Sequence, residues 1–209
     1  IRAQDGRGAP VQLTRGGDTY KYQIAWSPDS RRILWADRKQ RLQTIEVETK
    51  TVTPVAEAAA GEITDFAWSP DSRWVAYAKP EDEGMGRLFL YSLDSKQTVA
   101  ATDGWFPVAQ PAFSADGKLL FFVSARSFTP TYGQTEWNHV YTDMSQIYLV
   151  TLAADTPSPF APKSDEVKIK DDKKEQPKKE EADKKKGGVV VKVDPDAIAA
   201  RIAVLPIKS

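Results

Sequence analysis

The sequence predicts an all-β fold, a partial β-propeller of about three four-stranded blades with incomplete blades at both ends. Three observations predict it. One phrase occurs three times, as Ala25-Trp26-Ser27-Pro28-Asp29-Ser30, Ala67-Trp68-Ser69-Pro70-Asp71-Ser72 and Ala112-Phe113-Ser114-Ala115-Asp116-Gly117. The copies stand 42 residues (26 to 68) and 45 residues (68 to 113) apart, inside the period of roughly 40–45 residues that marks four-stranded propeller blades. After each phrase comes a cationic residue and then an apolar run: Arg31 before Ile33-Leu34-Trp35, Arg73 before Val75-Ala76-Tyr77, Lys118 before Leu119-Leu120-Phe121-Phe122.

Each element has a local cause. Ser-Pro-Asp-Ser is turn chemistry: Pro presets φ, Asp bonds nearby backbone N–H groups, and Ser or Gly closes the corner. The phrase and the run after it therefore form a hairpin of first and second strands. Residues 42–47, 88–93 and 147–152 supply third strands, the later two apolar throughout, as expected where neighbouring blades cover both faces. Residues 51–55 and 97–100 supply short fourth strands. At the N-terminus, the turn Asp5-Gly6-Arg7-Gly8 and the run Val11-Gln12-Leu13-Thr14 read as the end of a third strand followed by a fourth. Residues 189–193 and 201–206 read as closing strands. Rings of this kind close with about four to eight blades, so the chain is expected to be a segment of a longer protein. The domain reading is blades over 1–162, a charged low-complexity insertion over 163–188, and the closing strands of a blade over 189–209.

Composition excludes several functions. Lys plus Arg and Asp plus Glu both number 29, so no net field draws the chain to nucleic acid or an anionic membrane. Without cysteine there is no disulfide framework, thiolate metal site or Cys nucleophile. No apolar stretch approaches the roughly 20 residues of a membrane span. The insertion holds ten Lys and eight Asp or Glu and cannot bury a core; it reads as solvated, with a docking tether as the functional alternative.

The motifs of catalysis are missing: no Gly-x-Ser-x-Gly elbow, no His-Glu-x-x-His helix, no Gly-rich phosphate loop and no calcium loop. No catalytic residue, cofactor site or metal site is expected. His139, the sole histidine, has no carboxylate-and-serine pattern beside it and reads as a surface or packing residue.

The candidate site is a rim. Residues 125–146 interrupt the third repeat between its second and third strands, and carry Arg126, Trp137, His139 and Tyr141 with further aromatics. In an up-and-down blade this connection shares an end with the inter-blade links, one of which holds Trp105-Phe106-Pro107. Trp105, Phe106, Arg126, Trp137, His139 and Tyr141 are therefore the candidate peptide-contact or interdomain rim. The plainer reading is that the loop covers the propeller end or packs on a neighbouring domain. First-strand residues near the axis, Gln23, Ala25, Asp65, Ala67, Gln110 and Ala112, would border a channel, or be small because inner strands are crowded.

The Trp-Ser-Pro-Asp-Ser hairpins resemble the repeats of TolB-type propellers and of the propellers of tricorn proteases and prolyl oligopeptidases. The series Ser114 to Arg126, then 147–152, Ser158-Pro159-Phe160, Val193-Asp194, Arg201-Ile202 and Leu205-Pro206 resembles the tricorn type more closely, over about half the chain. That resemblance implies the later part of the second propeller of a large serine peptidase, whose PDZ-like and catalytic domains lie elsewhere and whose catalytic residues match no position here. It implies gating or channelling of oligopeptides in proteolysis, the remaining propeller and domains of the parent as partners, a homo-oligomeric parent, and a cytoplasmic location, with an exported or periplasmic one as alternative. A TolB-like interaction propeller without enzymatic activity is the alternative function. The family often places glycine before the Arg-Ile run, where this chain has Pro195-Asp196-Ala197.

Overall fold

Twelve strands in the computed structural model form three four-stranded antiparallel sheets, and each begins with one copy of the repeated phrase. The structure describes residues 1–15, 19–82, 84–128, 130–133, 139–162 and 188–207. The first blade is β1 (Lys21–Trp26), β2 (Arg32–Asp37), β3 (Arg41–Glu46) and β4 (Val52–Glu57); the second is β5 (Phe66–Trp68), β6 (Trp74–Lys79), β7 (Arg87–Ser92) and β8 (Thr98–Ala100). In the third, β9 (Val108–Phe113) and β10 (Leu119–Ser124) precede a separate hairpin, β11 (Pro130–Tyr132) and β12 (His139–Tyr141); β13 (Gln146–Thr151) and β14 (Ile202–Val204) follow. A 3-10 turn, Ile198–Arg201, leads into β14.

The hairpin turns repeat one bonding scheme. Ser27 Oγ donates to Asp29 Oδ1 at 2.6 Å and accepts from the Arg32 amide at 2.9 Å, while Asp29 Oδ1 accepts the Arg31 amide at 3.0 Å. Ser69, Asp71, Arg73 and Trp74 repeat it, as do Ser114, Asp116, Lys118 and Leu119. Ser30, Ser72 and Gly117 close the three corners in the left-handed region, at φ 60°, 62° and 69°.

Blades stack through alternate side chains of their middle strands, the period-two pattern of buried strands. Leu34, Ala36 and Leu42 of the first blade meet Val75, Tyr77 and Tyr91 of the second. Ala76, Leu88 and Leu90 of the second meet Leu120, Phe122, Tyr148 and Val150 of the third. Two hydrogen bonds cross the first seam near the axis: Trp68 Nε1 donates to the Ala25 carbonyl at 3.3 Å, and the Asp29 amide donates to Ser72 Oγ at 3.0 Å. The sheets converge at their first strands, where β5 lies against β9.

The second seam is closed differently. After the insertion the chain returns across the hairpin end, where the Val191 amide donates to Asp71 Oδ2 at 2.8 Å and Val191 is buried between the second and third blades. Gly117 makes room: a Cβ there would meet Val191 Cγ2 at 2.7 Å and Val189 Cγ1 at 3.0 Å. Residues 189–193, read from sequence as a strand, are thus an unpaired strap. Arg201 then fixes the approach to β14, donating to the carbonyls of Thr151, Leu152, Asp194 and Asp196. Ala197 takes φ 51°, the left-handed conformation that a glycine before the Arg-Ile run would adopt at less cost.

The N-terminal segment also differs from its expected form. Residues 1–15 carry no strand; Ile1 and Val11 exchange backbone hydrogen bonds at 2.7 Å, folding the segment on itself around its glycine turn. A fourth strand needs a third strand to pair with, and the segment instead lays Leu13 against Ile33, Trp35 and Ile45 on the outer face of the first blade.

Candidate functional site

Antiparallel order puts the β2–β3, β6–β7 and β10–β13 connections at one end of the blades, together with the inter-blade links 58–65 and 101–107. This link rim is opposite the hairpin turns. Its organising side chain is Arg126, just beyond β10. The guanidinium lies 5.5 Å from the ring centre of Phe106, 5.7 Å from Phe122 and 5.6 Å from Tyr148, and 3.9 Å from Asp103. Arg126 Nε donates to Ser124 Oγ at 3.2 Å, and Ser124 Oγ donates to the Pro107 carbonyl at 2.8 Å. A planar cation between aromatic faces is an attraction of about 1–2 kcal/mol when largely desolvated, and it ties the third blade to the link that precedes it. Burial pushes the Tyr148 hydroxyl above its ordinary pKa, while the Arg126 charge opposes that rise.

The sequence candidates divide. Arg126 meets Phe106 on the link that also carries Trp105: Trp105 is 77% exposed and Phe106 is 38% exposed beneath Arg126. Tyr141 is exposed on the β11–β12 hairpin, tilted against Phe128 with ring centres 4.6 Å apart. His139 contributes its backbone to β12, paired with Tyr132; its side chain, and all of Trp137, lie outside the described residues.

Beside Trp105 is a cavity of about 880 Å³, which sequence reasoning missed. Its floor and walls come from the end of β4 (Glu57), the end of β6 (Lys79), the β6–β7 connection (Glu81, Asp82, Met85), the start of β7 (Arg87) and the link at Asp103-Gly104-Trp105. Glu81 sits 3.7 Å from Lys79 Nζ and 3.1 Å from Arg87 Nε, so one carboxylate engages both cations. Gly104, at φ 85°, lets the link pass over Arg87: a Cβ would stand 2.7 Å from Arg87 Nε. The Gly104 carbonyl accepts the Met85 amide at 3.3 Å, joining the two lips. The only available signal in the sequence was the longer, Gly- and acid-rich stretch from Pro80 to Gly86.

Along the axis the first strands of the outer blades share a bulge. Gln23 and Gln110 occupy equivalent positions at φ 53° and 52°, each beside a register shift, and both are exposed with Ala112, while Ala25, Asp65 and Ala67 are half-buried. Non-glycine residues held left-handed cost about 1–3 kcal/mol each and persist only where their surroundings impose them. Among the described residues, no group of three or more His, Asp or Glu side chains is placed to hold a metal ion, and no helix is long and apolar enough to cross a membrane.

Known proteins with this architecture were found by sequence and by structure. A family model described as the tricorn protease second beta propeller domain matches residues 1–209. The chain is similar to tricorn protease homolog 1 of Streptomyces coelicolor, 32% identical over 186 residues, which cover 89% of this chain and 17% of that protein. It is similar to the tricorn protease of Thermoplasma acidophilum, 28% identical over 130 residues, or 59% of this chain and 12% of the relative. A crystal structure of the tricorn protease superposes with a TM-score of 0.71 at 21% identity, covering 90% of this chain and 17% of that one, and shows the same fold. The chain thus spans less than a fifth of the length of these relatives. A whole-chain family match, on three blades that the repeat had marked, places this chain in the tricorn protease second beta propeller domain family.

Proposed function

We propose that this chain is a non-catalytic propeller region of a tricorn-like serine peptidase that gates or channels oligopeptides on their way to or from a distant catalytic centre. The observation that carries the reading is the axial edge: small or polar residues, Gln23, Gln110 and Ala112, stay exposed where the first strands converge, within a chain whose whole length matches the family. A propeller fixes the width of its passage by the backbone ring, so selection comes from size. The remaining blades, the PDZ-like and catalytic domains, a homo-oligomeric parent and a cytoplasmic setting belong to this proposal. So does the division into blades (1–162), charged insertion (163–188) and a closing segment (189–209), of which residues 189–193 are the strap and β14 the closing strand.

The test uses the full-length protein. Ala112→Cys, labelled with maleimides of increasing size, is expected to lower kcat/KM for octapeptides about tenfold while a single-residue chromogenic amide changes far less. Equal loss for both substrates, or none for either, would contradict channelling.

A further inference from the structure

The cavity on the link rim has a charge pattern that the channelling reading does not use. Among the described residues four carboxylates line it, and of these Glu81 alone engages the two cavity cations, Lys79 and Arg87. Asp103 accepts the Trp105 amide at 3.2 Å and reaches Arg126 only at 3.9 Å. Glu57 stands opposite Arg41 on the β3–β4 ladder, but that guanidinium is committed to Asp37 Oδ2 through Nε at 3.0 Å and Nη2 at 2.7 Å. Neither Glu57 nor Asp82 has an ion-pair partner among the described residues. The walls therefore keep an excess of negative charge in a chain whose overall charge is zero.

Two large apolar groups flank this excess. Trp105 and Met85, the latter 66% exposed, both line the cavity. Carboxylates beside an open indole face suit a long aliphatic stem that ends in a cation. The stem covers the apolar surface and the head meets both the carboxylates and the ring quadrupole. An acidic side chain would meet like charge, and a purely aliphatic one would leave Glu57 and Asp82 desolvated without a partner.

We infer that the cavity between β4, the β6–β7 connection and the Trp105 link is a docking site for a lysine or arginine side chain of an oligopeptide. The inference deepens the channelling proposal and rests on it for the ligand being a peptide. The site lies on the link rim, so it would hold basic peptides at one end of the blades.

The experiment photo-crosslinks the full-length protein to a benzophenone-bearing octapeptide with one central lysine, and to its norleucine and glutamate counterparts, and maps adducts by mass spectrometry. Adducts of the lysine peptide are expected on residues 80–87 and 103–107, at about fivefold the yield of the norleucine peptide, with the glutamate peptide lowest. The Glu57→Gln/Asp82→Asn variant should bring lysine and norleucine yields together, and Trp105→Ala should lower both. Circular dichroism melting of each variant checks that the fold is intact. Equal labelling by all three peptides, labelling elsewhere, or a lysine preference that survives in the double variant would overturn the inference. The Ala112→Cys labelling assay, run in parallel, separates this failure from failure of channelling, because size selection does not depend on peptide charge.

Discussion

Serine closes the first two hairpin corners and glycine the third, so Gly117→Ser would make the three turns alike. Repeat logic expects such a change to be neutral or stabilising, and the structure predicts the reverse. The left-handed conformation at φ 69° costs a non-glycine residue about 1 kcal/mol. Loss of glycine freedom in the unfolded chain returns roughly 0.5–1 kcal/mol, which is why Ser30 and Ser72 tolerate the same corner. What remains is steric. A Cβ 2.7 Å from Val191 Cγ2 and 3.0 Å from Val189 Cγ1 pushes on a strap that is buried at Val191 and bonded there to Asp71. Overpacking of that kind costs about 1–3 kcal/mol. Val191→Ala alone removes two buried methyl groups, about 1.5 kcal/mol, yet relieves most of the clash. The pair should therefore be non-additive, the double variant falling short of the summed losses by about 1–2 kcal/mol. Urea unfolding followed by tryptophan fluorescence and circular dichroism reads all four corners of the cycle. A Gly117→Ser protein as stable as the parent, or strict additivity, would mean that the strap does not enter the seam.

Trp68→Phe keeps an aromatic ring in the first seam but removes the Nε1 donor to the Ala25 carbonyl, and should cost about 0.5–1.5 kcal/mol; Trp26→Phe, where the indole is exposed, should cost less in the same unfolding assay. The Ser114 hydroxyl and the Lys118 amide hold the Asp116 carboxyl below its ordinary pKa. Stability from this turn is therefore present above the unfolded aspartate value near 3.9 and lost as pH falls through the lower folded value. Ser114→Ala should raise the Asp116 titration seen by carboxyl-carbon NMR, and an unchanged midpoint would assign the shift to another cause.

The blades were legible because each strand set carries its own turn chemistry and its own two-residue alternation, so Trp26, Trp68 and Phe113 mark equivalent places without any knowledge of contacts. The third blade's last strand was harder: 50 residues separate Thr151 from Ile202, and only the ordered series around Arg201-Ile202 linked it to a blade. The strap was illegible, because Val189-Val190-Val191 alternates no differently from a strand and its partner, Gly117, looks like an ordinary turn glycine. The left-handed Gln23 and Gln110 gave no sign either, since glutamine is not a residue chosen for that conformation. At the candidate site, the aromatics Trp105 and Phe106 stood out by type. Glu57, Asp82 and Arg87 did not, because an exposed charge in sequence does not reveal which partner neutralises it.

The division between the two rims is what makes the link end the place for the proposed recognition. At the hairpin end most polar groups of the repeated phrase are engaged: the serine hydroxyl and one aspartate oxygen in each turn are bonded within that turn, and Ser72 Oγ and Asp71 Oδ2 bind across the seams. Substitution there acts on folding. The link end has no repeated phrase; its connections differ in length from blade to blade, and the contacts that tie them are local: Arg126 over Phe106, Ser124 Oγ to the Pro107 carbonyl, and the Met85 amide to the Gly104 carbonyl. Loops relieved of structural duty can vary in charge and shape without cost to the sheets. It follows that relatives which process different peptides should differ in charge at the positions of Glu57, Asp82 and Trp105 while keeping the Ser-x-Asp turns, and that exchanging residues 80–87 between two such relatives should exchange their preference for basic peptides without changing either protein's unfolding midpoint.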